Sequence, residues 1–227
     1  MNIALSPLLW SLALCGLATT AHAQSNAPLR FGVRGGLNLS TQQQSVGSNG
    51  RRSSVSNDNL TGFHAGIVAE VPLAGDLSLR PELLFSRKGL EYSYSALGQS
   101  IGYTDKLSYL TLPVSLTYRV HAGPAALVLG AGPYVGVLVN AERTGSAKVL
   151  GSSFTRTGDL NIGSGDNDDY QTVDAGLNFQ GLVEVDRVFV GAHYGLGLTN
   201  VQTAGSDDDN YRHNRGWEFT LGVYLSK

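Results

Sequence analysis

The sequence predicts an all-β chain closed into an antiparallel, up-and-down transmembrane β-barrel of about eight strands. Three observations predict it. Long segments alternate apolar and polar residues with period two. The links between them alternate between very short and long. Charged residues make up only 15% of the chain, against roughly 25% in an average soluble domain, while glycine reaches 29 of 227 residues. The 16 Lys+Arg and 18 Asp+Glu nearly cancel, so no basic field exists to hold nucleic acid.

Residues 1–23 read as a signal peptide. An apolar stretch runs from Ile3 to Leu17, and Ala21-His22-Ala23 supplies an A-x-A cleavage site before Gln24. The leader carries no Lys or Arg. Leu12-Ala13-Leu14-Cys15 is a poor lipoprotein site, because a small residue is expected at Leu14. Cleavage leaves a barrel domain of residues 24–227 without cysteine, which excludes disulfides, thiolate chemistry and Cys-ligated metal. No later stretch approaches 18 consecutive apolar residues, so no transmembrane helix is expected.

Eight segments carry the alternation. In residues 29–41, Phe31, Val33, Leu37 and Leu39 oppose Arg30, Arg34, Asn38 and Ser40. Residues 61–72 set Phe63, Ala65, Ile67 and Val71 against His64 and Glu70. Residues 77–92 set Leu79, Leu83 and Phe85 against Arg80, Glu82, Ser86 and Lys88. In residues 106–120, Leu110, Leu112, Leu116 and Tyr118 oppose Tyr109, Thr111, Thr117 and Arg119. Residues 126–141 are apolar on one side and glycine-rich on the other. Residues 172–186 set Val173, Leu177, Phe179 and Val183 against Asp174, Asn178, Gln180 and Glu184. Residues 188–200 carry Val188, Val190, Ala192 and Leu196 opposite His193, and residues 216–226 carry Trp217, Phe219 and Leu221 opposite Glu218. The segments are longer than the 5–6 residues of an ordinary strand and long enough for the 9–11 that a tilted membrane strand needs.

Short turns are expected at residues 74–76, 121–124 and 186–187. Long polar loops are expected at 42–59, 158–169 and 204–214. Hydrocarbon offers no partner to free N–H and C=O groups, so only a closed ring of strands is viable. The apolar face then meets lipid. The lumen receives Arg30, Arg34, His64, Glu70, Arg80, Glu82, Lys88, Arg119, Asp174, Glu184, His193 and Glu218. Eight strands leave just enough room for side chains, so these residues are expected to plug the lumen with ion pairs and hydrogen bonds. Phe31, Phe63, Tyr92, Tyr109, Tyr118, Phe189, Tyr211 and Trp217 lie near strand ends and suit an interfacial girdle, or reflect β propensity alone.

Four motifs bring a resemblance. Tyr109-Leu110-Thr111-Leu112-Pro113-Val114 resembles a "YLxxP" strand, and Gly132-Pro133-Tyr134-Val135-Gly136 a "GPYxG" strand. Phe31-Gly32-Val33-Arg34-Gly35-Gly36-Leu37-Asn38-Leu39-Ser40 is similar to "GxKGGxNxS", and Tyr194-Gly195-Leu196-Gly197-Leu198-Thr199-Asn200-Val201 to "YxxGLTNI". In this order they resemble the outer-membrane β-barrel family of Bacteroidetes type, the PorT-like or "porin family" small barrels. The resemblance spans the chain after the leader. It implies a barrel in a Gram-negative outer membrane, among lipid and lipopolysaccharide, inserted by the barrel-assembly machinery. It implies little chemistry. The chain departs from the family habit of an aromatic C-terminus by closing on Tyr224-Leu225-Ser226-Lys227.

No catalytic constellation is expected. His64 and His193 near Glu70, Asp174 and Glu184 lack a positioned serine and an oxyanion hole, and a satisfied lumen network explains them. His121 and His213 are read as turn and loop residues. The acidic runs at 166–169 and 207–210 do not follow the spaced calcium-loop pattern and are read as solvated, with Ca²⁺ as the lesser alternative. Gly195-Leu196-Gly197 has Asn200 where a dinucleotide fingerprint needs glycine. No cofactor is implied. Arg51-Arg52 and Arg212/Arg215 are too few to define a lipopolysaccharide site. Three functions follow: a plugged structural or surface-interaction barrel whose long loops meet an extracellular ligand; a narrow porin; or a soluble, lipocalin-like periplasmic carrier.

Overall fold

The computed structural model describes residues 28–48, 51–56, 58–96, 99–149, 152–165, 168–202 and 211–226. The segment 1–23 expected to be a signal peptide, the acidic run at 207–210 and positions 166–167 lie outside the described residues, as do the side chains of Arg51 and Arg52. Among the described residues ten strands form one antiparallel sheet. They are β1 (Arg30–Ser48), β2 (Arg51–Ser56), β3 (Asp58–Ala74), β4 (Leu77–Ala96), β5 (Gln99–Ala122), β6 (Ala125–Val149), β7 (Ser152–Asp159), β8 (Val173–Val185), β9 (Val188–Gly197) and β10 (Tyr211–Tyr224). Eight of them form the ring β1-β3-β4-β5-β6-β8-β9-β10, which closes where β10 pairs with β1 from Gly32↔Tyr224 to Ser45↔Tyr211. This is the closed barrel that the alternation predicts.

The period-two pattern fixes which side faces out. Phe31, Ile67, Leu116, Leu129, Phe179, Val190 and Leu221 are all exposed on the outer wall. Arg34, Glu70, Arg80, Glu82, Asp174, Glu184 and His193 are buried inside. A lipocalin-like carrier needs the reverse, an apolar cavity within and a polar surface without. The exposed apolar belt is stable only against hydrocarbon. Ile67 sits midway along the outer face of β3, so Ile67→Arg is expected to destabilise the barrel by about 2–4 kcal/mol in lipid vesicles, measured by urea titration. An effect near zero would contradict the bilayer orientation.

The three short links are two-residue turns at Gly75-Asp76, Gly123-Pro124 and Asp186-Arg187. Gly75, Gly123 and Asp186 adopt left-handed φ of 55°, 62° and 55° there. They lie at one rim. At the other rim the structure corrects the expectation of polar loops. Strand β1 runs to Ser48, β5 starts at Gln99, β6 runs to Val149, and β7 adds a further hairpin. Polar segments rich in Ser, Thr and Tyr read as loops, yet they pair well once a neighbouring strand is registered beside them.

The aromatic girdle also needs correction. Phe31, Phe63, Tyr92, Tyr118 and Trp217 are exposed, but Tyr109 and Phe189 are fully buried. They occupy inward positions of β5 and β9, where their rings fill the lumen. His213, expected in a loop, lies in β10 and stacks on Tyr211 at 4.6 Å. His121, expected in a turn, is the next-to-last residue of β5, exposed and 3.1 Å from Asp76.

Candidate functional site in the lumen

The lumen is built in levels, each supplied by inward positions of neighbouring strands. Nearest the short turns, Arg30 of β1 and Arg119 of β5 both bridge Glu70 of β3 and Glu184 of β8, at 2.6–2.9 Å. Tyr224 donates its hydroxyl to Glu70 and lies under the Arg30 guanidinium, 3.9 Å from its ring centroid. Two cations held by two carboxylates form a closed square, in which each charge has two partners.

The next level centres on Glu82 of β4. It accepts from Arg80 at 2.8 Å and pairs with Arg34 at 2.7 Å. Arg80 is 0% exposed, donates to Tyr224 at 2.9 Å, and stacks over Phe189 at 4.5 Å. Glu218 of β10 lies between Arg34 at 3.5 Å and Lys88 at 3.8 Å. His64 holds Asn38 at 2.6 Å and Thr220 at 3.2 Å, and so orients β1 against β10. The ring nitrogens of His193 and the side-chain amide of Gln180 have no hydrogen-bond partner among the described residues.

Above this, Asp174 of β8 accepts from Tyr134 at 3.2 Å and Asn214 at 3.0 Å, and Asn214 also donates to Tyr109 at 3.2 Å. A void of about 10 Å³ lies among Asn38, Ser40, Lys88, Tyr134, Asn214 and Glu218, enough for one water at most. All twelve residues expected in the lumen therefore point inward. Their charges cancel: Arg30, Arg34, Arg80, Lys88 and Arg119 against Glu70, Glu82, Asp174, Glu184 and Glu218.

The sequence reading misses a further level that closes the long-loop rim. The segment after β7 folds inward and places Tyr170 at 0% exposure, in an apolar cluster with Leu107, Tyr109, Leu138, Ala141 and Val201. The Tyr170 hydroxyl donates to Asp105 at 2.7 Å, and Asp105 is clamped by Nε and Nη2 of Arg143, each at 2.6 Å. Burial, reinforced by the Asp105 carboxylate, pushes the Tyr170 pKa up, so the hydroxyl keeps its proton. Arg212, considered above as a lipopolysaccharide contact, instead turns over Tyr170 and donates to its hydroxyl at 3.2 Å. A bulge in β6 makes this cap. The register shifts between Ser108↔Asn140 and Tyr109↔Leu138, so Val139 is extra and both Leu138 and Ala141 face inward.

No group of three metal-ligating side chains occurs among the described residues. No curated protein matches the chain. Among solved structures it is similar to Neisserial surface protein A, at 16% identity over 88% of this chain and 100% of that one, with a TM-score of 0.41. It is also similar to Ail of Yersinia pestis, at 13% identity over 85% and 99% of the two chains, with a TM-score of 0.34. The outer membrane protease OmpT of Escherichia coli shows 10% identity over 92% and 100%, with a TM-score of 0.39. The model of the outer membrane protein beta-barrel domain matches residues 22–202, which run from before β1 through β9. The match covers more than half of the chain, and the chain belongs to the outer membrane protein beta-barrel domain family.

Proposed function

We propose that this chain is a closed, non-enzymatic outer-membrane barrel of the PorT-like small-barrel type, with a structural or surface-interaction role. Residues 1–23 direct its export and are removed. Outer-membrane lipid and lipopolysaccharide cover the apolar belt, and the barrel-assembly machinery inserts it. The extended strands of the far rim reach the environment and meet extracellular ligands; nucleic acid is not among the partners.

The observation that carries this reading is the lumen. Its five cations balance its five carboxylates over the whole lumen, and the Tyr170 cap covers the rim that the turns do not. A porin needs a continuous column of water, and the packed levels leave none. Planar-bilayer recording on purified protein tests this. Baseline current without discrete steps is expected in salt, and steady single-channel openings would overturn the proposal. Heat-modifiability on a gel confirms in the same preparation that the barrel is folded.

A further inference from the structure

We propose that strand β7 is a self-adhesive edge that pairs two copies of this chain standing in opposed membranes. The proposal goes beyond the closed-barrel reading and rests on it for the outward direction of the β6–β7 hairpin.

Strand β6 pairs with β8 only as far as Val137, and from Glu142 it pairs with β7 instead. Among the described residues β7 pairs only with β6, so its second edge carries unpaired N–H and C=O groups. All eight residues of Ser152–Asp159 are exposed, Phe154 at 64%. Natural edge strands are blunted by charged side chains, above all lysine, by proline or by a bulge; β7 has no lysine, proline or bulge, and its two charges, Arg156 and Asp159, are of opposite sign.

What such an edge accepts is set by its own side chains. The strand reads Ser-Ser-Phe-Thr-Arg-Thr-Gly-Asp. Paired antiparallel with itself about Thr155, it places Phe154 opposite Arg156 of the second copy, twice. It also sets Ser153 opposite Thr157, Ser152 opposite Gly158, and Thr155 opposite itself. Each Phe–Arg pair is a cation–π contact, and hydroxyl residues meet hydroxyl residues elsewhere. A shift by one residue along each strand would set Arg156 against Arg156, so the charge selects the register.

Geometry then fixes where the second copy stands. The two-fold axis relating antiparallel edge strands of one sheet runs perpendicular to the sheet. This hairpin continues the barrel wall, so the axis lies in the membrane plane and inverts the second barrel. Two copies in one membrane cannot pair this way, whereas copies in facing membranes can. Asn140 marks the end of the exposed apolar row on β6, and Thr155 lies beside Ser146. At about 3.3 Å per residue and about 40° of tilt, Thr155 stands ~15 Å above the lipid and the hairpin tip ~23 Å. Pairing at Thr155 holds the two surfaces ~30 Å apart, so each tip clears the opposite bilayer.

The test uses full-length folded protein in phosphatidylcholine vesicles, with two populations carrying donor and acceptor lipid dyes. Wild-type vesicles are expected to cluster, with energy transfer rising with protein density. Thr155→Pro, which breaks the edge ladder, and Phe154→Arg, which places Arg against Arg156, should return the signal to that of protein-free vesicles. The exchange of Phe154→Arg with Arg156→Phe restores complementarity and should restore clustering. Dispersed wild-type vesicles, clustering that survives Phe154→Arg, or an exchange variant that fails to cluster would each overturn the proposal. Heat-modifiability checks that every variant is folded. If the wild type shows no such shift, it is the barrel reading itself that has failed.

Discussion

Glu82→Ala is expected to cost about 3–5 kcal/mol of folding free energy, because it strands Arg80 in the lumen and leaves Arg34 only its longer contact to Glu218. Glu82 is 4% exposed and sits between the two guanidinium groups, and Arg80 has no second carboxylate partner among the described residues. Tyr224 and the Phe189 ring do not neutralise its charge. Urea titration in lipid vesicles, read by the fluorescence of Trp217, the single tryptophan outside residues 1–23, measures the loss. Removing both partners with Arg80→Met and Glu82→Met should recover most of it, since the uncompensated charge then goes too. A single variant within about 1 kcal/mol of wild type would mean that water already reaches this level, and that the lumen is not dry.

Gly36→Val is expected to prevent closure altogether. Gly36 is an inward position of β1 at the seam with β10, and a Cβ built there would collide with the main-chain carbonyl of Phe219. A small barrel curves so tightly that neighbouring backbones invade the space of an inward side chain. Backbone cannot step aside as a flexible side chain can. Gly195 offers the contrast, since its Cβ would approach nothing nearer than the Gly216 carbonyl at 4.0 Å. Heat-modifiability after refolding should show no folded band for Gly36→Val and a normal one for Gly195→Ala. A folded Gly36→Val would refute the seam as drawn.

The wall of the barrel was legible in the sequence because the two sides of a strand meet opposite solvents. Rows such as Phe31/Val33/Leu37/Leu39 against Arg34/Asn38 admit one orientation in a bilayer, and the lumen residues follow from it. Their partners were not legible. Arg30 meets Glu184 across a separation of 154 residues, and only the ring order brings them together. The cap escaped detection for a local reason: Tyr170 sits between Asp169 and Gln171 with no alternation around it, and the bulge at Val139 shifts the pattern that would have placed Leu138 and Ala141 on one side. Glycine content alone does not reveal that Gly36 provides clearance between strands.

The seam carries a consequence for how the molecule comes into being. Strands β1 and β10 stand first and last in the strand order, yet they share fourteen paired positions, and Leu225 adds a bond to the Phe31 carbonyl at 2.7 Å. Until β10 arrives, every partial sheet has two raw borders, and in hydrocarbon each orphaned amide on them costs several kcal/mol. A half-built ring therefore cannot rest in the bilayer. Either all eight strands enter together, or something must shield the free margins until the last one docks.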